Sequence, residues 1–255
     1  MEFTLGQFEF YLVILARISA FIYTAPFFSM NTVPQRIKIG LSAVLALLVF
    51  TLLPYQPLEY SGSIGYLGLV AMNVLAGVVL GLFANICTYI LSFAGQIMDM
   101  QIGFSMATEY DPATRNTVSL TSNIYNYAVL LIMLVSRLHY YIIEAVVDSF
   151  ELIPVSGVVL NAEIYKLMVQ FVTDFCVIGF RITLPVFATI MIVNAVLAIL
   201  AKVAPQMNMF VIGIQLKVLI GLAVLVVITL QLDAISDFVF DQMFSMLKQA
   251  SGYLH

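Results

Sequence analysis

From Tyr60 to Met98 the sequence runs 39 residues without an Asp, Glu, Lys or Arg. About 20 apolar residues suffice to cross the hydrocarbon core of a bilayer, so this run demands either lipid or an unusually large protein interior. Composition decides between them. Of 255 residues 62% are hydrophobic and only 9% charged, against about 25% charged in soluble domains. Membrane-crossing segments must satisfy their own backbone groups, and runs of helix length recur along the chain. The expected fold class is therefore all-α, a polytopic membrane protein of long, broken helical hairpins.

The net charge of −4 arises from 14 acids and 10 bases with no basic block, which excludes the clustered cationic surface that nucleic acid requires. Cys87 and Cys176 both sit inside apolar runs and read as buried small hydrophobes. No CxxC pair or His/Cys cluster points to a metal or redox centre, and no cofactor is implied. There is also no GxSxG, HExxH, P-loop or suitably spaced carboxylate pair, so catalysis, ATP hydrolysis included, is not expected. The N-terminus, MEFTLGQFEF, is acidic where a signal peptide is basic and has no small-residue cleavage site; it is expected to be retained.

In chain order, Phe8–Met30 is the first apolar run, interrupted by Arg17, and a short basic connection with Pro34, Arg36 and Lys38 follows. Ile39–Leu53 is apolar for 15 residues, closed by Pro54 and Pro57; as a helix it rises about 22 Å, short of a ~30 Å core. Ser61–Met98 is long for one span and reads as a span with an extension or as a helix broken by glycine. Its Gly77-Val-Val-Leu-Gly81 has the spacing that lets helices approach closely. Val118–Ser136 and Leu167–Ala201 are further apolar runs, and Val218–Leu232 is the last. One integral membrane domain is expected over residues 1–232. Asp233, Asp237 and Asp241 at i, i+4, i+8, with Phe238, Phe240, Phe244 and Leu247 beside them, mark an amphipathic helix over 233–255. Its acidic face is either solvated or a docking face. Basic connections favour the cytoplasmic side, which places both termini outside if six spans alternate.

Polar residues concentrate in two islands. In the first, residues 99–116, Asp99, Gln101, Glu109, Asp111, Arg115 and Asn116 arrive together between two apolar runs. Such an island is either a loop leaving the membrane or irregular backbone lining a protein-enclosed path, which is tolerated at membrane depth only where protein or water satisfies it. Met98, Met100 and Met106 around it are adaptable side chains, suited to a soft constriction or to ordinary gap-filling. The second island, residues 202–217, is built around Pro205. Asp174 and Arg181 interrupt an apolar run seven residues apart, two helical turns, and so share a face. Ionisable groups there face a protein interior or a water path, as a buried ion pair, a subunit contact, or the relay of a proton-coupled secondary transporter.

The run QIMDMQIGFSMATEYDP resembles the central segment of the FliR family, export-gate components of flagellar and virulence type III secretion, through Gly95, Asp99, Gln101, Gly103 and Asp111-Pro112. Lys202, Ala204-Pro205-Gln206-Met207-Asn208, Phe210 and Lys217 resemble the family's later signature, and Arg17 with Ala25-Pro26-Phe27, Pro34 and Lys38 an earlier one. Tyr110-Asp111-Pro112 and its sequel look flagellar. The resemblance implies a hetero-oligomeric, helical export-gate assembly with FliP-like and FliQ-like membrane subunits, alongside FlhB- and FlhA-like components. Its implied place is the bacterial inner membrane at the flagellar basal body, and its substrates are unfolded flagellar proteins. It further implies that Gly103–Asn116 plugs the pore, with Phe104, Met106 and Tyr110 as sealing side chains and Asp99, Gln101, Asp111, Pro112 and Arg115 shaping or fixing the plug. The mechanism expected is passive gating, in which substrate displaces the plug with energy supplied by other parts of the apparatus.

Overall fold

The computed structural model describes residues 4–254 apart from 31, 59, 105–108, 112–115, 159, 160, 162 and 207, and at 109–111 and 116–118 describes the backbone. The order is α1 (Leu5–Thr24), α2 (Gln35–Leu52), α3 (Gly62–Ala84), α4 (Ile86–Ile102), β1 (Glu109–Asp111), β2 (Asn116–Val118), α5 (Leu120–Val135), α6 (Leu138–Leu152), α7 (Ile164–Val203), α8 (Met209–Thr229) and α9 (Leu232–Tyr253). The helical membrane architecture forms as expected. Among the described residues it also holds the β1–β2 pair inside the first island.

Among the described residues five helices are long and apolar enough to cross a bilayer, α1, α2, α3, α7 and α8, or six if α5 and α6 form one broken span. The two 15-residue apolar runs gain length from their polar flanks. α2 starts at Gln35 and reaches 18 residues, about 27 Å. It takes in Lys38, which is not a solvated connection charge: it is only 6% exposed and its Nζ donates to the Ser29 carbonyl at 2.9 Å. α8 starts at Met209, so among the described residues of the second island Ala204, Pro205, Gln206 and Asn208 stay outside helices.

The long run over Ser61–Met98 is divided at Asn85, not at a glycine. The Asn85 amide N–H still caps α3 on the Gly81 carbonyl at 3.1 Å, while its side-chain Nδ2 donates to Thr24 O at 3.2 Å. That bond draws the break onto the end of α1. α7 continues through Pro185 for 40 residues, about 60 Å at 1.5 Å per residue. A hydrocarbon core of about 30 Å covers half of that.

The chain resolves into two compact units, residues 1–87, 136–171 and 241–255 in one, and 88–135 and 172–240 in the other. In the first, α1 packs on α3 through the small-residue pair. A Cβ at Gly77 would collide with the Arg17 carbonyl oxygen, and one at Gly81 with the Thr24 side chain. In the second, Phe93 of α4 packs against Phe175 of α7, ring centroids 4.9 Å apart. On α9 Asp233, Asp237 and Asp241 are exposed while Val239, Phe240, Met243, Met246 and Leu247 are buried. Phe238 departs from that apolar set, being exposed.

Candidate functional site

The ends of the first island are tied together. Asp99, in the last turn of α4, is buried, and its Oδ2 accepts the backbone N–H of Thr121 at 3.2 Å. Its Oδ1 accepts the Thr121 hydroxyl. Thr121 is the second residue of α5, so the carboxylate meets one of the four orphan amides of that helix start and the positive end of its dipole. Ser119 caps the same turn, its Oγ accepting the Ser122 N–H at 3.2 Å.

The contact continues away from the island. The Ser122 hydroxyl donates to the Ser92 carbonyl at 2.8 Å, and Asn126 Nδ2 donates to Ser92 Oγ at 2.9 Å. Between them Gly95 faces Ser122 so closely that a Cβ would stand 2.6 Å from the Ser122 Cα. Asp99 with Thr121, Gly95 with Ser122, and Ser92 with Asn126 run in opposite chain directions, so α4 and α5 form an antiparallel hairpin zipped by a polar seam. Sequence reading singled out Asp99 and Gly95 but not Ser92, Thr121, Ser122 or Asn126. The available signal was the spacing: Ser92, Gly95 and Asp99 on α4 and Ser119, Ser122 and Asn126 leading into α5 both follow i, i+3, i+7, one face of a helix.

Beyond the clasp, Gly103 ends α4 with its N–H on the Asp99 carbonyl at 2.9 Å. Its φ of +100° lies where a side chain is disfavoured. Phe104 follows, half-buried. Tyr110 and Asp111 lie in β1, which pairs antiparallel with β2 in the register Glu109–Val118, Tyr110–Thr117, Asp111–Asn116. Met106, Pro112 and Arg115 lie outside the described residues. Gln101 is half-buried on α4.

The other site residues predicted from sequence stand apart. Within the chain Asp174 is half-buried and Arg181 exposed. The Arg181 guanidinium lies over the Phe238 ring at 5.9 Å, a surface stacking contact. In the second island Lys202, Pro205 and Gln206 are exposed and Lys217 half-buried. Asn208 has a definite task, its side chain accepting the Phe210 N–H at 3.2 Å as N-cap of α8. Among the described residues no three His, Cys, Asp or Glu side chains are grouped to hold a metal ion.

The polar node of the other unit is centred on Arg17, fully buried on α1. Its Nε and Nη2 both donate to Asn73 Oδ1, and its Nη1 donates to the carbonyls of Ile153 at 2.9 Å and Ser149 at 3.4 Å. The guanidinium stands 4.3 Å from the Phe150 ring centroid. Asn73 in turn donates to Val155 O at 2.9 Å. Sequence reading noted Arg17 only as an interruption and a motif residue, and passed over Asn73. An Asn inside a charge-free run was the missed sign, because a polar side chain there needs a partner.

Comparison with known proteins bears on both polar constellations at once, since residues 8–243 match the family described as bacterial export proteins, family 1. The chain belongs to that family. The match to these export proteins takes in Arg17, the clasped island and the second island together. Among relatives of the export family, the flagellar biosynthetic protein FliR of Buchnera aphidicola subsp. Schizaphis graminum is 33% identical over 83% of this chain and 81% of its own length. That of Bacillus subtilis is 31% identical over 89% and 88%, and that of Escherichia coli K12 28% identical over 91% and 89%. The resemblance carried by the island and the second signature thus extends across nearly the whole chain.

Proposed function

We propose that this chain is a core subunit of the flagellar type III protein export gate and that the segment between Gly103 and Asn116 closes its pore at rest. Its relatives bear the name flagellar biosynthetic protein FliR, and membership of an export-protein family supports a membrane component of that apparatus. The observation that carries the plug reading is the clasp. Asp99 and Thr121, 22 positions apart, bring the two ends of the island together in a buried contact, and β1 and β2 pair between those tied ends.

In this reading the pore is completed by FliP-like and FliQ-like membrane subunits, with FlhB- and FlhA-like components supplying the drive, in the bacterial inner membrane at the flagellar basal body. Unfolded flagellar proteins displace the hairpin as they pass. The length of α7 is about twice the ~30 Å of the hydrocarbon core, Tyr165, Val169, Val177, Ile192 and Val203 along it are exposed within the chain, and apolar surface outside lipid calls for protein cover. Deleting residues 103–116 in the assembled apparatus tests the reading. Collapse of the membrane potential with continued export is the expected result, and an intact potential with full export would overturn it. Native mass spectrometry of the chain produced with its neighbouring genes tests the partners. A hetero-oligomer is expected, and a lone chain beside unbound partners would sink that part.

A further inference from the structure

We propose that the groove between α7 and the α8–α9 turn holds one phospholipid, its phosphate on Arg181 and an acyl chain along the apolar wall. The groove measures about 240 Å³, with Arg181 and Gln231 as its polar groups and Ile182, Pro185, Ile235 and Phe238 among its apolar ones. Three observations converge on that ligand. The first is an unanswered charge. The Arg181 guanidinium is a cation lying over Phe238, yet no carboxylate among the described residues stands within ion-pair distance of it. Phe180 and Leu184 beside it on α7 are apolar and exposed. Whatever covers this face must bring an anion and apolar surface together. The second is size. Whole small molecules fill pockets of about 300–1,000 Å³, so this groove takes one end of a larger molecule, and a partner helix about 10 Å across would bridge it without filling it. The third is level. α8, 21 residues long and apolar enough to cross a bilayer, rises about 31 Å, the thickness of a hydrocarbon core of about 30 Å. The groove opens at the C-terminal end of that helix, where Leu230 and Gln231 turn the chain into α9 and its exposed Asp233 and Asp237. A helix whose apolar span ends there ends at the depth of the lipid phosphates.

The test is native mass spectrometry of the full chain, with any subunits it retains, delipidated and then titrated with phosphatidylglycerol. One tightly held lipid per copy of this chain is expected. Arg181→Leu should weaken it about tenfold through the lost charge-assisted hydrogen bonds. Ala234→Trp, which fills the groove and keeps the charge, should do the same. Both positions are exposed, and circular dichroism checks that both variants fold. Diacylglycerol, which has the tails but no phosphate, should bind the parent only as weakly as phosphatidylglycerol binds Arg181→Leu. Equal affinity of parent and Arg181→Leu for phosphatidylglycerol would overturn the proposal. A second measurement separates lipid from protein cover: Ala234→Cys, in a chain with Cys87 and Cys176 replaced by Ala, should be shielded from maleimide by phosphatidylglycerol. Shielding by co-purified subunits alone would assign the cation to a partner's carboxylate and overturn the lipid site. Binding is read without export, so its failure leaves the export-gate reading untouched, and failure of that reading leaves the lipid bound.

Discussion

Nε and Nη2 of Arg17 both donate to the single side-chain oxygen of Asn73, at 3.0 and 2.6 Å, and neither side chain reaches solvent. The pair joins α1 to α3 through a charge surrounded by neutral dipoles: one amide, two carbonyls and an aromatic face. A cation held this way depends on every partner, because losing one returns the full cost of its desolvation. Replacing Asn73 by Ala should therefore destabilise the detergent-solubilised protein by about 3 kcal/mol or more. Arg17→Met with Asn73→Leu removes donor and acceptor together and should cost less than Asn73→Ala alone. Urea unfolding followed by circular dichroism compares them, and an equal or greater loss in the double variant would show that the charge itself matters.

Gly77 and Gly81 differ in what opposes them. Gly77 faces the Arg17 backbone carbonyl, which has no rotamer to adopt, whereas the atom nearest Gly81 is the Thr24 hydroxyl oxygen. Gly77→Ala should cost about 1–3 kcal/mol as an overpacked contact, and Gly81→Ala less, since turning χ1 of Thr24 removes its hydroxyl and leaves its Cβ at 2.8 Å, against 2.3 Å for the Arg17 carbonyl. Thermal melts in one detergent read the order, and a reversed order would contradict the α1–α3 crossing described above.

These two positions also show what was legible in advance. The membrane class, the helix-length runs and the Gly77–Gly81 pattern could be read from one-dimensional spacing because they depend on local composition. Helix starts at Gln35 and Met209 were misjudged for one reason. A lone Lys38 or Lys217 was counted as a loop charge, although a buried carbonyl partner or an apolar helix around it makes a cation tolerable. The β1–β2 pair was invisible because three-residue strands carry no period, and their pairing depends on the clasp that closes the island. Asp99 was picked out by motif, but its partner Thr121 lies 22 residues on and only the fold brings the two together. Asp174 and Arg181 share a helical face in sequence, and that alone could not show that Arg181 turns to Phe238.

At the second island the Asn208 side chain is the N-cap of α8. Asn208→Ala should cost about 1 kcal/mol, with Asp or Ser at the same position restoring most of it. Because Asn208 is exposed, packing does not confound the measurement. An alanine variant as stable as the parent would leave this residue to intersubunit contacts alone.

Tyr60 offers a pH readout outside the membrane-spanning helices. Its hydroxyl donates to the Glu9 carboxylate at 2.7 Å, and that hydrogen bond, before other causes, raises the phenol above its ordinary pKa. A group raised on folding contributes stability that is complete below its unfolded pKa of about 10 and is lost as pH climbs through the folded value. The Glu9–Tyr60 tether should thus hold at neutral pH and release only in strong alkali. With 13 tyrosines in the chain, the shift is read as the difference in phenolate absorbance between the parent and Tyr60→Phe. Glu9→Gln should move that difference titration to lower pH, and no movement would mean that the carboxylate is not the cause.

Asp99 and Thr121 make the sharpest energetic claim about the site. Asp99→Ala deletes both acceptor contacts at once and leaves a buried hydroxyl and an α5 amide without partners, a loss of about 1–3 kcal/mol for each stranded group. Asp99→Asn retains one oxygen and should fall between alanine and the parent. Thr121→Val removes the hydroxyl but keeps the backbone N–H on Oδ2, so it should cost less than Asp99→Ala. If the two residues act through each other, the double variant Asp99→Ala with Thr121→Val will be scarcely worse than Asp99→Ala by itself, because the valine removes the hydroxyl that the first change had stranded. Additive losses would mean that each residue stabilises α4 or α5 separately. Membrane potential measured in cells on the same four variants links clasp to gate: leak should rise in the order of lost stability, whereas a leak-free Asp99→Ala would divorce the clasp from sealing.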